Sequence, residues 1–122
     1  MSTQDVPSMD FRRSLASKAR YKNSRVTEFS QSIPTDWSPH KVNNPKTGFY
    51  FTDDSAWNFI ADLLENPTCE AIFKELDKPK GVKAVVILRV LEEGKPLLYI
   101  KVHFGRDKII GRSFHYSYME GM

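Results

Sequence analysis

The feature that most constrains this chain is a change of hydrophobic period near Gly81. Upstream of it apolar residues recur at helical spacing, and downstream they alternate or fill both faces as strands do. Trp57, Ile60, Ala61 and Leu64 fall at i, i+3, i+4 and i+7, while Asn58, Asp62 and Glu65 lie elsewhere on the helical circle. Thr52, Asp53, Asp54 and Ser55 place capping oxygens and negative charge just ahead, which predicts a helix starting there and ending at Pro67. Cys69, Ile72, Phe73 and Leu76 repeat the spacing and predict a second, shorter helix, capped by Thr68 and closed by Pro79 and Gly81. Val82 to Val90, dense in β-branched residues, predicts a central strand covered on both sides. Leu97 to Phe104 and Lys108 to Tyr116 predict two further strands, joined through Gly105, Arg106 and Asp107 as an antiparallel hairpin. Helices first and strands after predict an α+β fold, with two helices packed on one face of a three- to four-stranded antiparallel sheet.

Residues 1–32 read differently. Their large apolar residues (Phe11, Leu15, Tyr21, Val26, Phe29) are sparse, and Phe11 to Arg25 holds six cations and no acid. This composition predicts a flexible basic arm, with a single domain over residues 33–122. Pro34, Pro39 and Pro45 predict an irregular segment from Ile33 to Thr47, and Gly48 to Phe51 a short aromatic strand.

Several chemistries drop out on composition. A single cysteine, Cys69, excludes an intramolecular disulfide and any multi-cysteine metal site, and its place in an apolar stripe reads as core. His40, His103 and His115 lack metal-ligand spacing, and the six glycines are scattered, so neither a metal nor a nucleotide cofactor is expected. No apolar run approaches the roughly 18 residues that span a bilayer, and the N-terminus lacks a signal-like apolar stretch, which predicts a cytoplasmic protein without a membrane partner.

Charge is uneven along the chain. Residues 1–50 carry 8 Lys/Arg against 4 Asp/Glu, residues 51–78 carry 2 against 7, and residues 79–115 carry 8 against 3, within a total of +3. Two basic regions flanking an acidic one make a polyanion a candidate partner. Strand alternation puts Tyr99, Lys101 and His103 on one face of the hairpin and Leu98, Ile100, Val102 and Phe104 on the other. With a two- or four-residue loop, Lys101 faces Arg112, and Tyr99 faces Phe114; a three-residue loop instead brings Ser113 and His115 beside Lys101. Opposed cations make sense around an anion, so Lys101, Arg112, His103 and Tyr99 are candidates for a phosphate-sized cluster. Arg106 and Lys108, in and beside the turn, are further candidates for holding substrate.

Leu98-Tyr99-Ile100-Lys101-Val102, a turn, and Ile109-Ile110-Gly111-Arg112-Ser113-Phe114-His115 together resemble the closing hairpin of small bacterial toxins of the RelE and MqsR kind, in the barnase–EndoU–colicin–RelE group. The resemblance covers about a third of the chain; the proline-rich segment and the basic N-terminus have no counterpart in it. It implies a metal-independent endoribonuclease, with the carried-over positions at Tyr99, Lys101, Arg112 and His115, and a neutralising antitoxin or immunity protein as partner. In such an enzyme the RNA 2′-hydroxyl attacks the adjacent phosphate. Lys101 and Arg112 would neutralise that phosphate, His103 or His115 would exchange protons, and Tyr99 would stack on a base or donate a proton. The competing expectation is a non-enzymatic basic module that binds nucleic acid or an acidic protein through the same face. A regulator docking through Phe49 to Phe51 is the third.

Overall fold

The computed structural model describes residues 5–27, 36–76 and 80–117. Helix α1 spans Met9–Arg20 and helix α2 spans Asp53–Glu65. Among the described residues six strands follow in chain order as β1 (Arg25–Val26), β2 (Asp36–Trp37), β3 (Ile72–Glu75), β4 (Lys83–Arg89), β5 (Leu98–Gly105) and β6 (Lys108–Tyr116). They form one sheet in the order β1-β6-β5-β4-β3, with β2 lying further along the same side of β6. The fold is α+β. Among the described residues no helix is long and apolar enough to cross a membrane.

Helix α2 forms where its signals place it. The Thr52 hydroxyl accepts from the Ser55 amide at 3.0 Å, and Ser55 Oγ accepts from the Thr52 amide at 2.9 Å, a reciprocal cap that satisfies two otherwise orphaned donors. Ala56, Trp57, Ile60, Ala61 and Leu64 are wholly buried along one face. The aromatic rings of Trp37, Phe51, Trp57, Phe59 and Phe114 then meet at centroid separations of 4.8 to 5.5 Å and join this helix to the sheet.

Four expectations are corrected. The basic segment read as a flexible arm contains α1, whose Leu15, Ala16 and Ala19 are fully buried against the rest of the core. Its buried face at positions 12, 15, 16 and 19 has helical spacing, but two of the four are alanines and one is arginine, so a scan for large apolar residues passes over it. Arg12 earns its place by donating to the carbonyls of Leu63, Leu64 and Asn66, each at 3.0 Å, at the C-terminal end of α2, where Leu63 and Asn66 also accept from the backbone amides of Asn66 and Cys69. Residues 1–4 and 28–32 of that arm lie outside the described residues.

The second helix expected over Cys69 to Leu76 is instead strand β3, paired antiparallel with β4 from Ile72↔Val86 to Glu75↔Lys83. Four apolar residues in so short a stretch fit either period, and the open edge of β4 decides in favour of pairing. Finally, the sheet is mixed and has six strands rather than three or four, because β1 and β2 run parallel to β6. Each is only two residues long, too short to carry a period of its own. Gly48 to Phe51 contributes no strand beyond a single bridge between Asn43 and Tyr50. In β4, Ala84 to Ile87 are buried on both faces as expected, but Leu88 is 50% exposed.

The β5–β6 hairpin turns on two residues, Arg106 and Asp107, both with positive φ (53° and 63°). That is the backbone of a tight turn whose twist matches its strands. From the turn, Phe104 faces Ile109 and His103 faces Ile110. A bulge then inserts Arg112 as an extra residue, so Val102 pairs with Gly111 while Lys101 pairs with Ser113 and Tyr99 with His115. The hairpin therefore follows one expected register near the turn and the other beyond the bulge. Gly111 sits where a Cβ would lie 2.6 Å from the Trp37 ring, so only glycine lets the indole rest on β6 here.

Candidate functional site

Pairing across the sheet sorts side chains into rows. Trp37, Phe114, Ile100 and Ile87 form one row facing the helices. The row on one side of it, Asp36, Ser113, Lys101, Val86 and Ile72, points the opposite way, and so does the row on its other side, His115, Tyr99 and Leu88. Tyr99, Lys101, His103, Arg112 and His115 thus share the sheet face away from the helices. Arg106 and Lys108 are not brought to them. Arg106 is an exposed turn residue, and Lys108 donates to the Asn23 carbonyl at 2.7 Å beside the hairpin tip.

The bulge decides how the cations sit. It takes Arg112 out of line with Lys101, which removes a direct opposition of two like charges, and turns the guanidinium toward His103. Arg112 Nη1 lies 3.3 Å from His103 Nε2, and both residues are 4% exposed. Guanidinium nitrogens only donate, so Nε2 is the acceptor and the ring proton belongs on Nδ1, which faces the Phe104 carbonyl at 3.4 Å. His103 is held neutral in one tautomer. Burial pushes its pKa below the usual value, the nearby charges of Arg112 and Lys101 push it further, and the bond to Phe104 opposes them without prevailing. Burial also lowers the pKa of Arg112, which stays charged because guanidinium starts so high.

The other end of the face is built differently. His115 Nε2 lies 3.1 Å from Asp36 Oδ2, its Nδ1 lies 2.8 Å from the Tyr116 carbonyl, and its ring stacks on Tyr99 with centroids 5.5 Å apart and planes 24° apart. Both ring nitrogens face oxygen acceptors. Beside this group opens a cleft of about 360 Å³ lined by Asp36, Ser38, Lys41, Val42, His115 and Tyr116.

Asp36 and Lys41 escaped the sequence reading. Asp36 reaches His115 only because β2 runs parallel to β6, a pairing between residues far apart in the chain that no local pattern announces. Among the described residues, no group of three or more His, Cys, Asp or Glu is arranged to hold a metal ion. Comparison with known protein families, with curated proteins and with solved structures finds no match for this chain.

Proposed function

We propose that this protein is a small basic module that binds single-stranded RNA through the open end of its sheet face. The observation that carries the reading is the stacked Tyr99–His115 pair beside Lys101 on one face. A half-exposed aromatic pair offers a surface for an unpaired base, and an adjacent ammonium offers a contact for its phosphate. His103 and Arg112 brace the other end of the face. The hydrogen bonding favours binding over turnover, because each nitrogen of both imidazoles already has a partner and a proton shuttle needs one that faces substrate. An RNA ligand would place the protein's action in the cytoplasm.

A metal-independent endoribonuclease is the second reading, favoured by one arrangement: a carboxylate-bound imidazole, His115 with Asp36, at the rim of a cleft and next to the Tyr99 phenol. Lys101 and Arg112 would then neutralise the phosphate, and His115 would leave one of its present partners to move a proton. Only that reading calls for a neutralising antitoxin or immunity protein.

Titrating a labelled, mixed-sequence single-stranded RNA with the protein in EDTA separates the two. Saturable binding that weakens as salt rises, with the RNA intact, is the expected result. Intact RNA with no saturable binding at low salt refutes the binding module. Metal-free cleavage leaving cyclic phosphate ends replaces it with the nuclease.

A further inference from the structure

Residues 43–50 form a loop whose order is unusual for what it displays. Asn44 is 7% exposed and organises the loop: its amide donates to the Phe49 carbonyl at 2.8 Å, its own carbonyl accepts from Gly48 at 2.8 Å, and its side-chain oxygen accepts from the Lys46 amide at 3.0 Å. Gly48 takes φ 78°, which closes the turn at no steric cost. The loop then presents Phe49 and Tyr50 to solvent at 77% and 63% exposure, while the next residue, Phe51, is 2% exposed and packs on Phe59 and Phe114. Two adjacent aromatic rings held outward by a hydrogen-bonded loop leave most of their surface exposed, and exposed aromatics so placed mark binding surfaces.

The surroundings favour one class of partner. His40 to Tyr50 contains two lysines and a histidine and no acid. Lys41 lines the cleft next to His115, Lys46 is an exposed ammonium that reaches Asp62 at 3.4 Å, and the Asn43 amide lies 3.4 Å from the hydroxyl of Tyr116, another residue of the cleft. The loop is thus continuous, through the cleft, with the Tyr99–His115 stack. Aromatic rings interleaved with ammonium groups suit bases and phosphates of a flexible single strand.

We infer that Phe49 and Tyr50 are a second base-stacking element, which takes single-stranded RNA onward from the Tyr99–His115 platform across the cleft beside Lys41. The inference rests on the RNA-binding reading above and extends it to a longer footprint. Because the loop's order comes from Asn44, Thr47 and the backbone, removing the two rings leaves the loop standing.

The test titrates a fluorescein-labelled mixed-sequence single-stranded RNA in EDTA against the full chain and a Phe49→Ala/Tyr50→Ala variant, with thermal melts to compare their folding. A Phe49→Trp variant, which keeps a stacking surface, is the positive control. The double variant should bind about tenfold more weakly with an unchanged salt slope, since stacking rather than charge is lost, and Phe49→Trp should bind as the wild type does. Equal affinity of the double variant and the wild type overturns the loop's role while leaving the sheet-face reading intact. A weakened Phe49→Trp variant overturns stacking as the mechanism. Absence of RNA binding by the wild type overturns both readings, and polyglutamate binding that depends on Phe49 and Tyr50 would then assign the loop to an acidic protein partner.

Discussion

His103 and His115 stand on the same face of the same hairpin, and the fold gives them opposite chemistry. His103, at the buried end, accepts from Arg112 and is held neutral; His115, at the open end, faces Asp36 and the Tyr116 carbonyl and keeps an aromatic surface toward Tyr99. One extra residue in β6 separates the two environments, because the bulge at Arg112 supplies the guanidinium to the first and shifts the second into register with Tyr99. Residue type alone therefore says little about what a histidine does, and the company set by strand register says most of it. The buried end should answer mainly to stability measurements and the open end mainly to binding measurements.

The largest expected effect is at Arg112. Arg112→Ala removes a buried guanidinium, leaves His103 Nε2 without its donor and opens a void, and should cost about 2–3 kcal/mol of folding stability. Chemical denaturation checks this. A loss below about 0.5 kcal/mol, the range of ordinary surface substitutions, would break the contrast between the two ends.

Acid should sharpen the same contrast. The pKa of His103 is lower in the folded chain than in the unfolded one, so between the two values the unfolded chain binds more protons. Stability is then fully present above the unfolded value of roughly 6.5 and is lost progressively as pH falls through it, until the folded-state value is passed. His103→Gln keeps an acceptor for Arg112 without a titrating ring, and should flatten this part of the profile. Melting temperatures between pH 7.5 and 5.5 for the two proteins make the comparison, and parallel profiles would locate the acid sensitivity elsewhere.

At the open end Lys101→Ala should leave the melting temperature nearly unchanged and weaken RNA binding. If Lys101 meets one phosphate, the slope of log K against log salt should become shallower by about 0.7, the single-strand value for one contact. An unchanged slope with unchanged affinity removes Lys101 from the interface.

How far this contrast could be read in advance depends on the distance over which each feature is encoded. Helix α2, with its Thr52 cap and the Trp57–Leu64 stripe, and the β5–β6 hairpin are written in adjacent residues and were legible. So was the shared face of Tyr99, Lys101 and His103, since alternation needs only one strand. Helix α1 was hidden because its buried face is built of alanine, leucine and an arginine whose partners sit more than 50 residues away. Strand β3 was hidden because a neighbour's open edge, rather than the apolar spacing of Cys69, Ile72, Phe73 and Leu76, chose the period. Both hairpin registers could be written down, but a bulge that uses one at each end is settled by packing of Trp37 over Gly111 and by the Arg112–His103 bond. Asp36, which completes the open end, comes from a two-residue strand whose pairing has no local sign.

Asp36 gives a small effect on stability and the sharpest distinction between functions. Its side chain is 68% exposed and its partner is itself half-buried, so losing the carboxylate in Asp36→Asn should change stability by less than about 1 kcal/mol. Its effect on function depends on what His115 is for. If the face only binds RNA, removing a negative charge from beside His115 and the Lys101 row relieves repulsion of the phosphates, and affinity should rise a few-fold at low salt and return to the wild-type value at high salt. If His115 instead transfers a proton under the direction of Asp36, the same substitution should leave binding in place and depress cleavage by orders of magnitude, as losing the orienting carboxylate of a catalytic histidine does. Fluorescence titration and a gel of the same RNA samples in EDTA read both outcomes together. Tighter binding with intact RNA supports the binding module, and a wild-type cleavage activity that collapses in Asp36→Asn supports the nuclease.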